Sequence, residues 1–416
     1  MKSNYSDATK HFQNGQINEA KKICFEILKT EPNNFNVLYL LGVIAFQTKN
    51  YSKSDELIAK AIEINSKNSE FYNFKGIVLV HLNKFEEAIQ NWTKAIEIDP
   101  NSLDAFNNRG NALIKLKKNE LALKDFDQAI KIKPNFAQAY NNRGVVLKDL
   151  NRFDLALESV NKAIEINTKY ADAYNLKGVI LRELNQIEDS IKNYEKALEL
   201  NPNFANAHVN LGNILLNENK KLDLALESFT KALKISPNLN FLFGKYIHTK
   251  AWLSNWNSID EEISSLENKI NNKIKTSTPF PILSLIDFPD LQKKNAENFV
   301  ENQYSLSNNL GPILKKTSNK KIRIGYYSAD FNNHPTSFLM IRLLELHDRS
   351  NYEIFCFSLA NRKDDEMRER VLKACDKFLD VSSKSDLEIA KISRDLNIDI
   401  ACDVMGFTKG NKFQIF

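Results

Sequence analysis

Nowhere in these 416 residues does an apolar run approach the ~20 needed to span a bilayer, and the first eleven residues lack the apolar stretch of a secretory signal. A cytoplasmic protein with no membrane partner is expected. Cysteine is scarce. Cys24, Cys356, Cys375 and Cys402 lie far apart, with no C-x-x-C pair and no histidine beside them, so neither a disulfide framework nor a zinc site is indicated. They read as small buried apolar residues or inert thiols. An excess of one charge is also lacking. With 26% charged residues and a net charge of +5, lysine and acid are mixed along the chain, which describes a solvated face and not the basic block a nucleic-acid partner needs. G-x-G-x-x-G, Walker, G-x-S-x-G and H-E-x-x-H patterns are missing, and with them the dinucleotide, P-loop, hydrolase and zincin readings. No aspartate pair resembles a metal cluster, so neither metal nor cofactor is expected.

Glycine is sparse too, yet half of it is placed by a rule. Of twelve glycines, Gly42, Gly76, Gly110, Gly144, Gly178 and Gly212 stand 34 residues apart, the length of one tetratricopeptide helix-turn-helix unit. The glycine takes the eighth place of each unit, where two helices cross too closely for a Cβ. Small residues such as Ala20, Ser54, Ala88 and Ser190 take the twentieth place, and Ala61, Ala95, Ala129, Ala163 and Ala197 the twenty-seventh. Pro32, Pro100, Pro134 and Pro202 close their units because proline cannot continue a helix. Ala8 stands for glycine in a first unit, and the seventh carries one extra residue near Lys220 or Lys221. Residues 1–238 therefore read as seven repeats, an all-α tetratricopeptide superhelix.

The first helix of each unit lines the inner surface of such an array. Asn73, Asn107, Asn141 and Asn175 recur there at the fifth place, and Asn108, Asn142 and Asn210 at the sixth, interrupted by Phe74 and Leu176. An asparagine amide both donates and accepts, which suits it to clamping the backbone of an extended polypeptide. The alternative is a set of merely solvated helix positions in an asparagine-rich chain.

Residues 239–319 lose the phase and read as a capping helix and connector. Phe241 to Ile274 has a helical pattern with Trp252 and Trp256 on one face, and Pro279, Pro281 and Pro289 then cut the chain into short pieces. Phe280, Ile282, Leu283, Leu285, Ile286 and Phe288 predict a packed connector, not a flexible one. From Lys320 strands and helices alternate: strands at 321–328, 352–358, 377–381 and 398–404, with helices at 336–347, 364–375 and 385–396 between them. That order predicts a parallel sheet with right-handed crossovers, whose ligands gather at the carboxyl ends of the strands. Two loops lie there, 330–337 and 406–410. In the first, Pro335 fixes the backbone after His334 while Thr336 and Ser337 offer capping hydroxyls, so the imidazole is expected to be held over a helix amino terminus. A neutral histidine there can accept a proton or bind a phosphate or sugar hydroxyl. A structural loop histidine is the plainer reading of the same residues.

The repeats followed by TPFPILSLIDFP, KIRIGYYSADFNNHPTSFL, YEIFCFSLA and DIACDVMGFTKG resemble the O-GlcNAc transferase family, glycosyltransferase family 41. The resemblance implies a GT-B catalytic domain, two Rossmann-like lobes across a cleft, that inverts the sugar and needs no metal. It further implies UDP-GlcNAc as donor substrate and polypeptide serine or threonine as acceptor. His334 matches the HPT histidine beside the acceptor hydroxyl, and Asp403 falls at a strand end where the family carries aspartate or asparagine. Pro335, Thr336, Gly406 and Thr408 match substrate-binding places, whereas Met405 departs from the polar residue usual there. On this resemblance residues 320–416 are an incomplete N-terminal lobe, the second lobe is missing, and the 416-residue chain alone is expected to be inactive. The alternative is a non-catalytic tetratricopeptide scaffold that binds proteins. The encoding DNA beyond Phe416 separates the two.

Overall fold

A computed structural model describes residues 4–217, 221–303, 310–311, 320–360, 364–405 and 415. By its internal contacts the chain divides into two compact units, Met1–Ile235 and Ser236–Phe416.

The first unit is seven antiparallel helix pairs, from Tyr5–Gln13 with Ile17–Thr30 to Ala205–Asn217 with Leu222–Ile235. The second to seventh pairs each close around a glycine, where the first has Ala8. A Cβ on Gly76 would come within 2.5 Å of Trp92 Cε2, and one on Gly212 within 2.5 Å of Phe229 Cε1. Trp92 and Phe229 are among the largest fully buried side chains. Phe229 lies seventeen residues after its glycine, whereas Trp92 lies sixteen after Gly76, so the extra residue of the seventh repeat sits between its two helices. Of the two lysines expected to mark it, Lys221 is described and Lys220 lies outside the described residues. Where serine replaces alanine at the twentieth place it adds a bond: Ser54 Oγ donates to Gly42 O at 2.8 Å and Ser190 Oγ to Gly178 O at 2.7 Å. The turn inside each of the first six pairs has its own periodic marker, a left-handed residue at Gly15, Lys49, Asn83, Lys117, Asn151 and Asn185. The residue that follows donates its N–H back across the helix end, as Asn50 does to Ala45 O at 2.9 Å, closing a Schellman turn.

In the second unit the helices Phe243–Trp252, Ile259–Asn271, Pro279–Leu285 and Pro289–Gln303 share a core of Ile247, Leu266, Ile270, Ile282 and Ile286. Two expectations need correction here. Trp252 ends its helix, and left-handed residues at Ser254 and Ser258 break the chain, so Trp256 sits in the turn and not on a common helix face. Of the apolar connector residues, Ile282 and Ile286 are buried, but Phe280, Leu283 and Phe288 are 65%, 61% and 65% exposed because they occupy the outer side of short segments.

Among the described residues the α/β part has four parallel strands, β1 Ile322–Ser328, β2 Tyr352–Ser358, β3 Lys377–Asp380 and β4 Ile400–Asp403, in the order β3-β2-β1-β4. Alternate residues face opposite sides. Ile324, Tyr326, Ile354 and Cys356 pack on one face with Ile341, Leu344, Met367 and Val371 from the helices Pro335–Leu346 and Glu366–Ala374. Tyr327, Phe355 and Phe357 pack on the other with Ile389 from the helix Asp386–Asp395. Burial on both faces explains the continuous apolar runs of β1 and β2. After β3 the chain crosses back to lay β4 on the far side of β1, so strand order reverses at β1. Such a switch point opens a crevice outside the carboxyl ends of β1 and β4.

Candidate functional site

The loop leaving β1 at this switch point is wound tightly. Asn332 N donates to Asp330 O at 2.8 Å and His334 N to Asn332 O at 2.6 Å, while the Ser337 hydroxyl donates to Asp330 O. His334 is itself the N-cap of the helix Pro335–Leu346. Its ring Nδ1 accepts from Thr336 N at 3.3 Å and lies 3.1 Å from Thr336 Oγ1 and 3.6 Å from Asp330 Oδ2. The expected position over a helix amino terminus is therefore observed, but the device differs. The imidazole caps the helix, and the Ser337 hydroxyl turns back into the loop, because proline at the first helical place leaves Thr336 N–H as the nearest donor needing an acceptor. A neutral ring whose Nδ1 accepts an N–H carries its hydrogen on Nε2.

Three further residues shape this edge, none singled out by sequence. Asp330 faces the ring of His334. Asp365, the N-cap of the helix Glu366–Ala374, accepts from Asn333 N at 2.7 Å and from Arg368 N at 2.9 Å. These bonds, that from Asn333 foremost, hold its carboxyl below the usual aspartate range. Arg368 is buried at the ends of β2 and β3, within 3.2 Å of Ser358 Oγ, 3.4 Å of Asp380 Oδ2 and 3.1 Å of Asp364 Oδ1. The only sequence signal for these contacts was the spacing of acids ahead of a helix.

At the end of β4, opposite Tyr327 of β1, stands Asp403, whose Oδ1 accepts from Met405 N at 2.9 Å. Asp403 and the His334 loop thus occupy the same edge of the sheet. Met405 is buried, and its sulfur lies 3.2 Å from Ala329 N and 3.5 Å from Ser328 Oγ. The apolar Met405, noted above as a departure from the polar residue usual in the family resembled, thus plugs the gap between the two strand ends. Gly406 and Thr408 lie outside the described residues. Among the described residues no group of histidine, cysteine, aspartate or glutamate could hold a metal ion, and no helix is long and apolar enough to cross a membrane.

In the array the asparagines pair between repeats. Asn108 Nδ2 donates to Asn73 Oδ1 at 3.3 Å, Asn142 to Asn107 at 3.0 Å and Asn210 to Asn175 at 2.9 Å. Each rung joins the fifth place of one repeat to the sixth of the next. Elsewhere in the array the same two places hold no amide pair. Tyr39 and Phe74 meet edge to face with centroids 5.7 Å apart, and Leu176 stands where Asn141 would find a donor, leaving the buried Asn141 Oδ1 without a protein partner. Asn107 and Asn141 are only 6% and 7% exposed, so they are not solvated positions. Basic residues follow one place on: Arg109 forms a two-bond pair with Asp125 at 2.9 and 2.7 Å, and Arg143 meets Asp127 at 2.7 Å. A cavity of about 1080 Å³ lies away from these rungs, between the last two repeats, with Leu198, Leu211, Leu215 and Leu224 in its wall.

Comparison with known proteins agrees with both halves. Residues 291–416 match the sequence model of glycosyl transferase family 41. Models of the tetratricopeptide repeat match 35–68, 76–117, 110–151, 137–170, 178–219 and 205–239. A probable UDP-N-acetylglucosamine–peptide N-acetylglucosaminyltransferase, SEC, of Arabidopsis thaliana is 30% identical over 185 residues, 41% of this chain and 19% of that protein. The UDP-N-acetylglucosamine–peptide N-acetylglucosaminyltransferase of Caenorhabditis elegans is 37% identical over 99 residues, 23% and 8% of the two chains. The chain thus spans a fifth or less of the length of these relatives. Among solved structures, YrrB, described as a tetratricopeptide protein with an unusual peptide-binding site, is 25% identical with a TM-score of 0.35 over 44% of this chain and 93% of that one. The Cut9-Hcn1 hetero-tetramer is 15% identical with a TM-score of 0.48, over 70% and 54%. Residues 291–416 belong to glycosyl transferase family 41, and the helix pairs of the first unit, up to Ile235, form an array of tetratricopeptide repeats.

Proposed function

We propose that this chain is part of a protein O-linked N-acetylglucosamine transferase, in which the array holds an acceptor polypeptide and the β1 edge addresses its serine or threonine. The names of the two relatives and the family match support the chemistry. The observation that carries the reading is the His334 ring, fixed over a helix amino terminus at the sheet's switch point with Asp330 behind it.

Two ring states define what His334 does. With hydrogen on Nε2 it donates to a phosphate or sugar oxygen. With hydrogen on Nδ1, directed at Asp330 Oδ2 or Thr336 Oγ1, Nε2 is bare and takes the proton of the acceptor hydroxyl as that oxygen attacks the anomeric carbon, and Asp330 steadies the imidazolium that results. Pro335 and Thr336 hold the ring's backbone, Gly406 and Thr408 are assigned to the sugar, and Asp403 is the second carboxylate at this edge. UDP leaves without metal assistance in this scheme. The half-buried amides Asn73, Asn108, Asn142, Asn175 and Asn210 give the array its hold on polypeptide: each rung uses one donor and one acceptor, and an asparagine has capacity for more.

The test is radiolabel transfer from UDP-GlcNAc to a serine-containing peptide by the protein. His334→Ala is expected to lower transfer ~10² to 10⁴-fold while the protein stays folded by circular dichroism, the lost cap costing about 1 kcal/mol. Full activity in that variant removes His334 from proton transfer and leaves Asp403 as the candidate.

A further inference from the structure

We infer that Asp365 is the positioning residue of the His334 loop, a role that rests on the functional reading of His334 just given. One carboxylate serves two backbones. Its Oδ1 caps the helix Glu366–Ala374 through Arg368 N at 2.9 Å, and its Oδ2 reaches across to Asn333 N, 32 residues earlier, at 2.7 Å. Asn333 is the residue before His334. The imidazole is therefore held from two directions: its ring by Thr336 N and the facing Asp330, its backbone by Asp365.

The division of labour among the acids at this helix start supports the assignment. Asp364 and Asp380 are engaged with the guanidinium of buried Arg368, which also stacks over Phe378 at 4.8 Å. Asp365 alone among the three has a backbone N–H of the His334 loop as partner. The two helices are joined independently further along by Arg370 and Glu345, with bonds of 2.6 and 3.0 Å. Their packing does not hang on Asp365, but the loop's placement does. A charge-assisted bond of this length ties from outside a loop whose other bonds, from Asn332 N, His334 N and Ser337 Oγ, are made within the loop or to its own helix.

The geometry also supplies a way to separate the two jobs. Asp365→Asn keeps one carbonyl oxygen for the helix cap and sets an amide NH₂ against Asn333 N–H, donor facing donor. Asp365→Ser keeps a capping hydroxyl and lacks the second oxygen. Both are made in the full chain, with histidine rings and backbone amides labelled with ¹⁵N and His334 assigned by the His334→Ala spectrum. In the unsubstituted chain the ring is expected as a single Nε2–H tautomer with Nδ1 accepting. In both variants Asn333 N–H should exchange with solvent about tenfold faster or more, as loss of a hydrogen bond to a charged group implies, and the His334 ring signals should move toward a tautomer mixture, while Arg368 N–H keeps its protection. Unchanged Asn333 exchange and ring signals, or equal loss at Asn333 and Arg368 in both variants, overturns the inference and leaves Asp365 a helix cap. No sugar or peptide enters this measurement, so its failure is distinct from failure of the transfer reaction.

Discussion

The array and the α/β part place polar groups on helices by opposite means. In the array the same places recur, and at three steps an amide on one helix finds its partner on the equivalent helix of the next repeat, 35 residues on. In the α/β part the polar contacts follow no repeat, as where Asp365 links a helix start to a loop. Repetition makes a packing rule visible in sequence because the rule is restated at fixed intervals. A single-copy contact leaves no such trace. What the comparison teaches is that the stable scaffold was easy to read and the chemistry was not.

The largest expected effect tests the repeated slot. Trp92 fills the space over Gly76 and donates its indole N–H to Asn73 O at 3.0 Å, so Trp92→Ala should cost about 3–5 kcal/mol. Gly76→Ala, which forces a methyl into the indole, should cost about 1–3 kcal/mol. Urea unfolding followed by helical circular dichroism measures both. If Gly76→Ala is neutral, the glycine rule does not reflect close approach. Because the array and the second unit are separate compact units, Trp92→Ala should leave emission from Trp252 and Trp256, both in the second unit, unfolding at the unaltered urea concentration. A shared shift would show that the two units melt together.

A smaller effect concerns acid. Glu56, on the array surface between Lys53 and Lys60, has its carboxyl lowered to about 2 by hydrogen bonds to those lysines. Asp365 is lowered chiefly by backbone N–H groups. For both, the folded value lies below the unfolded one, so the stability each adds is present above the unfolded carboxylate range and is lost as pH falls through the depressed value. Lysine partners are screened by salt and fixed N–H donors much less. Carboxyl ¹³C titrations in low salt and in about 1 M salt should move Glu56 back toward the ordinary range and leave Asp365 nearly in place. Equal movement would mean that the Asn333 bond is no firmer than a surface ion pair.

These contrasts explain what was legible. The seven helix pairs, the parallel sheet and the bounds of β1 and β2 followed from period and from apolar runs flanked by turns. The left-handed turn series was present as Gly15, Lys49 and Asn83 but hidden, because lysine carries no turn signal of its own. Trp256 was misplaced because serine, not glycine or proline, makes the two left-handed breaks around it. At the site, proximity of His334 to a helix start could be read from the proline after it. Its choice of acceptor atom, the facing Asp330 and the reach of Asp365 depend on backbone paths that no local pattern specifies.

The finest test of the comparison lies in a rung where one amide is kept and its partner is lost. Asn107 Oδ1 accepts from Asn142, whereas Asn141, equally buried in the next repeat, faces Leu176, and its Oδ1 has no protein partner. Leu176 is itself buried against Val160 and Ile180, so the repeat has exchanged a polar rung for apolar packing. Removing Asn107 breaks a hydrogen bond and strands an amide, and Asn107→Ala should cost about 1 kcal/mol. Removing Asn141 deletes an acceptor already without a partner, so what it loses in packing is offset by relief of a desolvated oxygen, and Asn141→Ala should stay within about 0.5 kcal/mol of the parent. Parallel urea titrations resolve a difference of this size. If the two variants lose equal stability, position within the repeat decides the energetics of these asparagines; if Asn107→Ala alone is costly, the partner in the next repeat decides them.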